Sequence, residues 1–267
     1  MHKVSWKNLL TRSYVPYSGI KQACIVMGKT GTYYPGVRVE NVSFPLTIDA
    51  VQAAVFTCLS EGDSPQMLML PETGTTFGTP GSAVGSPATD LIEQQKLFTC
   101  GSATVTFWCE QTGMTCETRP SILDLEMDRF FQTSETRNGV DRLNELTGRC
   151  ITPHSSFPVA SLLITDAGIF SGVNIEISDW QKGLCAERTA LAKALASGAR
   201  KLHSIHVYAP KSDYVSPCGA CRQVLLEHMS SGTMLLHHNE FELSRLTVSE
   251  LLPYQLKAQY LSNIKSK

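Results

Sequence analysis

Short apolar runs alternate along the whole chain with Ala- and Leu-rich stretches of helical character. The runs "VASLLI" and "IFSGVNIEI" are apolar or alternating, and "TDAG" between them is a turn signal, so they predict a β-hairpin. "CAERTALAKALASG" is rich in Ala and Leu and closes on Gly198, as a helix does. "SIHVYA" then predicts a strand, "CRQVLLEHM" a helix and "TMLLHH" another strand. The first half carries similar elements in "ACIVMG", "YYPGVRVE", "AVQAAVFTCL", "QMLML" and "ATVTFWCE". "PETGTTFGTPGSAVGSPATD" is rich in Gly, Pro, Ser and Thr and predicts a surface loop. Strands alternating with helices imply sheets covered by helices.

The two halves are also similar to each other. "VPYSGIKQACIVMGKTGTYYPGVRVE" from Val15 aligns with "TPHSSFPVASLLITDAGIFSGVNIE" from Thr152. Pro16 meets Pro153, Ser18 meets Ser155, Ala23 meets Ala160 and Gly31 meets Gly168; after a one-residue slip Gly36 meets Gly172 and Glu40 meets Glu176. Matches that keep their order over this length predict two copies of one unit, placed at residues 1–130 and 131–267.

Composition narrows the function classes. The chain has 267 residues and a formal net charge of −1, so no global positive field draws nucleic acid. No apolar run is long enough to cross a bilayer, and "MHKVSWKNLLTR" lacks the apolar core of a signal peptide; the expectation is a cytoplasmic, reduced protein without membrane or nucleic-acid partners. Nine cysteines, an odd number scattered over a long chain, argue against a disulfide framework. Cys24, Cys58, Cys100, Cys109, Cys116 and Cys150 read as small buried hydrophobes, and Trp6, Trp108 and Trp180 as packing residues.

Cys185, Cys218 and Cys221 stand apart by their spacing. Cys218 and Cys221 have the C-x-x-C spacing that lets two sulfurs at a helix start face one ion, and Cys185 opens a neighbouring helix two residues before Glu187. Helix N-termini favour thiolates. A zinc site with three protein ligands leaves a fourth position for water, the arrangement of a catalytic rather than a structural centre.

These residues carry a resemblance. Cys185-Ala186-Glu187, Pro217-Cys218-Gly219-Ala220-Cys221-Arg222-Gln223, the upstream "FPVASLLITDAGIFSGVNIE" and the closing "VSELLPYQL" resemble the zinc-dependent cytidine deaminase family, from about Asp141 to Leu256 and more weakly through the first half. The resemblance implies an α/β fold of two tandem three-layer α/β/α units, each a mixed, mainly five-stranded sheet covered by helices. It implies one zinc ion per chain on Cys185, Cys218 and Cys221, with Glu187 as general acid and base in the hydrolytic deamination of cytidine and deoxycytidine. It further implies that the Ser216 carbonyl receives the departing amine and the Ala186 N–H meets the pyrimidine carbonyl. Phe157 would pack on the base, Asn174 and Glu176 would bind ribose hydroxyls, and Arg188 would hydrogen-bond the ligand sulfurs.

The first copy lacks this chemistry in the alignment. Asp49 falls opposite Cys185, Val51 opposite Glu187, Arg38 opposite Asn174 and Ile20 opposite Phe157, while "SPATDLIEQ" sets Ala88 and Leu91 opposite Cys218 and Cys221. It is therefore expected to serve as a packing surface, two chains making a homodimer of four units. Two other readings stay open: a deaminase of another aminopyrimidine such as blasticidin S or a nucleotide, and a non-enzymatic module with a closed zinc site in which Cys150 is the fourth ligand.

Overall fold

The computed structural model describes residues 4–72, 98–133, 135–137, 139–238, 242–254 and 256. The predicted Gly/Pro/Ser-rich loop beyond Glu72 and the pair Ala88 and Leu91 fall outside these described residues. The first half contains α1 (Trp6–Leu10), β1 (Ala23–Gly28), β2 (Tyr33–Val37), α2 (Ala50–Ser60), β3 (Pro65–Pro71), α3 (Ala103–Thr112) and β4 (Thr115–Arg119). The second contains α4 (Val140–Thr147), β5 (Ala160–Thr165), β6 (Gly168–Val173), α5 (Ala186–Ser197), β7 (Leu202–Tyr208), α6 (Gly219–Met229), β8 (Thr233–His237) and β9 (Leu243–Thr247).

Each half builds a mixed sheet. The first has the order β2-β1-β3-β4 and the second β6-β5-β7-β8-β9. In each, the first two strands form an antiparallel hairpin and the third pairs in parallel with the fourth. The parallel pair requires a crossover, and α3 and α6 lie in those two crossovers. The expected five strands are met in the second half; the first has four among the described residues, because β9 has no counterpart in it.

The duplication extends to close contacts. A Cβ placed on Gly172 would lie 2.0 Å from the Ala186 carbonyl oxygen, and one on Gly36 would lie 2.2 Å from the Ala50 carbonyl oxygen. Only glycine lets the edge strand approach the buried helix this closely. Glu176 accepts hydrogen bonds from the His154 and Ser155 N–H groups and the Ser155 hydroxyl, while Glu40 accepts them from the Tyr17 and Ser18 N–H groups and the Ser18 hydroxyl.

"ATVTFWCE" forms most of α3. Its Thr, Val, Phe and Trp favour strands, but Val105 and Trp108 recur at helical spacing as its buried residues, and Gly113 ends the helix at φ 70°. Ser102 is its N-cap and so stands where Cys218 caps α6, with Val105 where Cys221 stands. Cys100 and Cys116 form a disulfide with Cα atoms 6.1 Å apart, against the expectation of two free buried thiols. The odd cysteine count argued against a framework of bridges but could not exclude one local pair. Trp6 and Trp108 are buried as expected, whereas Trp180 is 63% exposed.

The two halves share one core. The larger cluster joins Trp6, Ile25, Phe56 and Leu68 to Leu143, Leu162, Val173 and Leu184. At its centre α2 packs against α5. All residues of α2 except Leu59 are buried, as are all of α5 except Leu195 and Ser197. A helix buried all round must still satisfy its polar groups, and α5 buries Glu187, Arg188 and Lys193. Lys193 Nζ lies 2.5 Å from Oε1 of Glu61, just past α2, and 3.3 Å from Ser171 Oγ.

Breaking this pair from one side strands a buried charge. Glu61→Ala is expected to cost about 3–5 kcal/mol in urea denaturation, whereas the double variant Glu61→Leu/Lys193→Met recovers most of that loss. Equal losses in the single and double variants would show that the charges are not coupled.

His228 on α6 supplies a pH dependence. Its ring lies 4.4 Å from that of Tyr14, Nε2 is buried without a partner, and burial pushes its pKa down from 6.5 to about 4. The unfolded chain therefore binds the extra proton first, so stability falls as pH drops from 6.5 toward 4. Denaturation at pH 7 and pH 4 should show that His228→Phe, which keeps the ring contact, removes about 3 kcal/mol of that acid-linked loss. An unchanged pH slope would overturn the assignment.

Candidate active site

Two helix starts bring the three thiols together. Cys185 is the N-cap of α5 and Cys218 the N-cap of α6, with Cys221 in the first turn of α6. Cys185 Sγ lies 3.7 Å from Cys218 Sγ, which lies 3.5 Å from Cys221 Sγ, and all three sulfurs fall within 4.8 Å of one another. Three thiolates about 2.3 Å from a tetrahedral zinc would stand about 3.8 Å apart, so the separations suit that ion.

The ionisation of the cluster also fits a cation. The Cys218 thiol is pushed down by hydrogen bonds from Cys185 and Cys221 and from the N–H groups of Cys221 and Ala220. Cys185 and Cys221 are pushed up, chiefly because they serve as donors within the cluster. A cation among the three sulfurs would favour the thiolate form of all of them.

Glu187 is 3% exposed beside this cluster. Burial, followed by the negative charge of Cys218, pushes its carboxyl up to about 7. Such a group exchanges a proton near neutral pH. Arg188 places Nη2 3.0 Å from the Leu46 carbonyl in the first half, and its Nε is buried without a partner. No hydrogen bond joins it to the sulfurs, but a buried donor left over at this position suits an anionic ligand set. Its counterpart Gln52 donates from Nε2 to the Lys182 carbonyl at 2.7 Å, so the two units exchange equivalent contacts across the helix pair.

The expected nucleoside contacts surround the loop at residues 152–159. Asn174 accepts from the Val159 N–H and donates to the Phe157 carbonyl, both at 2.8 Å, so its amide holds this loop. Glu176 holds the same loop through His154 and Ser155. Ser156 has a φ of 51°, where its counterpart in the first half is Gly19 at φ 71°. A left-handed Ser is a costly choice that the two anchoring side chains sustain. Phe157, next in sequence, is 39% exposed. Ala186 is the first residue of α5, where backbone N–H groups have no partner within the helix.

Arg222, directly after Cys221, supports the approach to the cluster. Its guanidinium donates to the Pro217 carbonyl at 2.9 Å and to the Ser216 hydroxyl at 2.8 Å, fixing the segment that leads into Cys218. His238, one residue past β8, accepts from the Val215 N–H at 2.9 Å and stacks on Tyr214. The four-residue spacing from Cys218 to Arg222 was the available signal for the first; the second depends on tertiary contact. Cys150 stands apart from the cluster, its Sγ donating to the Val159 carbonyl at 3.3 Å. Among the described residues no fourth His, Cys, Asp or Glu joins the three sulfurs.

The same place in the first half is filled by protein. Asp49 caps α2 through the Gln52 N–H at 2.8 Å and accepts from the Trp108 indole at 3.3 Å. Trp108 is 1% exposed and packs edge-on against Phe56. A carboxylate, a hydroxyl and an isopropyl group, on Asp49, Ser102 and Val105, thus stand where the second half has three sulfurs.

Comparison with known proteins places this geometry. Residues 134–235 match the family model for the cytidine and deoxycytidylate deaminase zinc-binding region. A cytidine deaminase of Sporosarcina psychrophila is 42% identical over 112 residues, covering 41% of this chain and 82% of that enzyme. The chain belongs to the cytidine deaminase family. Another cytidine deaminase, from Mycoplasma genitalium, is 40% identical over 115 residues, covering 42% of this chain and 88% of that enzyme. A blasticidin-S deaminase of Bacillus cereus is 31% identical over 104 residues, covering 36% of this chain and 74% of that enzyme. Residues 7–69 match a second zinc-binding-region model of the cytidine deaminase family, although Asp49 there replaces the first sulfur. As a member of that family the protein is a hydrolase that removes an amino group, and zinc is the metal of its fold.

Proposed function

We propose that residues 131–267 form a catalytic unit that converts cytidine and deoxycytidine to uridine and deoxyuridine, and that residues 1–130 form a degenerate partner unit. The observation that carries this reading is the buried Glu187 carboxyl beside three converging sulfurs, in a half-chain 42% identical to a cytidine deaminase. Cys185, Cys218 and Cys221 would hold one zinc ion per chain, which when bound supplies the Lewis acidity that brings a water's pKa close to neutrality.

The protein's own groups do the rest. Glu187 takes a proton from the attacking water and returns protons to N3 and to the departing amine. Water adds at C4, the C4–N4 bond breaks, and the products are the uracil nucleoside and ammonia. The Ser216 carbonyl accepts a hydrogen bond from the leaving amine, and the Ala186 N–H donates one to the pyrimidine carbonyl. Phe157 covers the base. Asn174 and Glu176 hold the 152–159 loop and direct their remaining acceptor capacity to ribose hydroxyls. Arg188 turns its spare N–H toward the sulfurs and offsets their charge.

Purified protein is expected to contain one zinc per chain, and Glu187→Ala to retain it while losing at least 10²-fold in cytidine turnover. Retained turnover in the variant would assign the cluster a structural role. Assays with cytidine, deoxycytidine, dCMP and blasticidin S separate the nucleoside reading from its relatives: preference for either of the last two would replace it.

The degenerate unit occupies the place of a sister subunit in this reading, so two chains make the working assembly in a cytoplasmic salvage role. Light scattering should give the mass of a homodimer. A fully active monomer of the intact chain would end the pseudo-tetramer idea.

A further inference from the structure

Glu227 breaks a local rule. It stands in the last turn of α6, where a carboxylate faces the negative end of the helix dipole. The compensation comes entirely from the other half of the chain. Oε1 accepts from the Tyr17 hydroxyl at 2.7 Å and the Tyr14 hydroxyl at 2.9 Å; Oε2 accepts from Asn41 Nδ2 and the Val42 N–H, each at 2.8 Å.

The four donors lie on two segments with counterparts around the candidate active site. Tyr14 and Tyr17 precede or belong to the loop that matches residues 152–157, and Asn41 and Val42 follow the strand end that matches Asn174 to Glu176. At the mirror-image positions stand Ile151, His154 and Ile177, with Gln111 in place of Glu227. The residue set for this clasp is thus present in one direction only: the half without thiols grips the helix that carries two of them.

Fixing both carboxylate oxygens fixes how α6 rolls and slides. Glu227 is six residues from Cys221, about 9 Å along a rigid helix, and nine from Cys218, about 14 Å. We propose that Glu227 is a positioning residue through which the first unit sets the placement of Cys218 and Cys221, and with it the geometry of the metal site. This rests on the zinc-deaminase reading above. The first unit then acts on the metal site through its grip on α6.

The test uses the full-length chain and the variants Glu227→Ala, Glu227→Gln and Tyr14→Phe/Tyr17→Phe. Leu9→Ala is the control, since Leu9 is fully buried on α1 and has no part in the clasp. Zinc affinity is read by competition with a chelating indicator, site geometry by the absorption spectrum of the Co²⁺-loaded protein, and turnover by kcat and KM for cytidine. Glu227→Ala is expected to weaken zinc binding about 10-fold or more, alter the cobalt spectrum and lower kcat about 10-fold, with KM changed less than about 3-fold. Glu227→Gln recovers part of each effect, and the double Phe variant, which keeps both rings packed, shows the same pattern should Glu227→Ala fail to fold. Leu9→Ala lowers stability and leaves all three readouts alone. If the clasp variants behave like Leu9→Ala in an active, zinc-loaded background, the positioning role is overturned. A wild-type chain that takes up no zinc would instead remove the deaminase reading beneath it.

Discussion

The burial of α5 is the constraint on which the structure depends. A helix that carries Glu187, Arg188 and Lys193 yet buries all three must find an answer for each charge away from water. Lys193 finds it in Glu61 and Arg188 partly in the Leu46 carbonyl, both contributed by the first half. Glu187 faces the thiols. The helix that begins with Cys185 is therefore stabilised in place only when the other half is folded against it, and the shared core expresses the same dependence in apolar terms.

This explains how one copy can lose its chemistry and keep its fold. The features common to both halves are those that shape the helix pair: the glycine under each helix start, the carboxylate that pins each preceding loop, and the side chain that reaches the opposite turn. The features found in one half are the sulfurs and the acid. In the first half Asp49 caps α2 and is paired with the buried Trp108 indole, although the Ser102 hydroxyl, at the Cys218 position, is buried without a partner. The buried indole adds apolar contact with Phe56 and has its N–H paired with Asp49.

Much of this was legible in the sequence, and the misreadings have physical causes. The hairpins, α2, α5 and α6 follow from apolar periodicity and turn residues, and the three thiols from their spacing at helix starts. The stretch at 103–110 is ambiguous in sequence, since its Thr, Val, Phe and Trp favour strands, while tertiary packing of Val105 and Trp108 selects the helix. Ala88 and Leu91 lie outside the described residues, and among the described ones Ser102 and Val105 hold the helix-start positions of Cys218 and Cys221. Trp180 was read as core because its size suggests burial; it lies in a surface turn. The Cys100–Cys116 bridge depends on two segments meeting in space, which cysteine parity does not reveal. The contacts of Arg188 and Glu227 lie across the two halves, where periodicity within one element carries no information.

The same reasoning orders the roles of polar residues around the site. Asn174 and Glu176 alternate along an edge and invite assignment to a ligand, yet each first satisfies backbone groups of the 152–159 loop. A loop with a left-handed Ser156 needs such anchors before it can present Phe157 to anything. Holding the loop and meeting a ribose are compatible duties for a carboxylate, since it offers about four acceptor sites and the loop uses three. Asn174 has less in reserve, because its carbonyl and its amino group are each already engaged. Of the two, Glu176 is therefore the better placed to discriminate a nucleoside from its base, while Asn174 chiefly determines the shape of the loop that receives it.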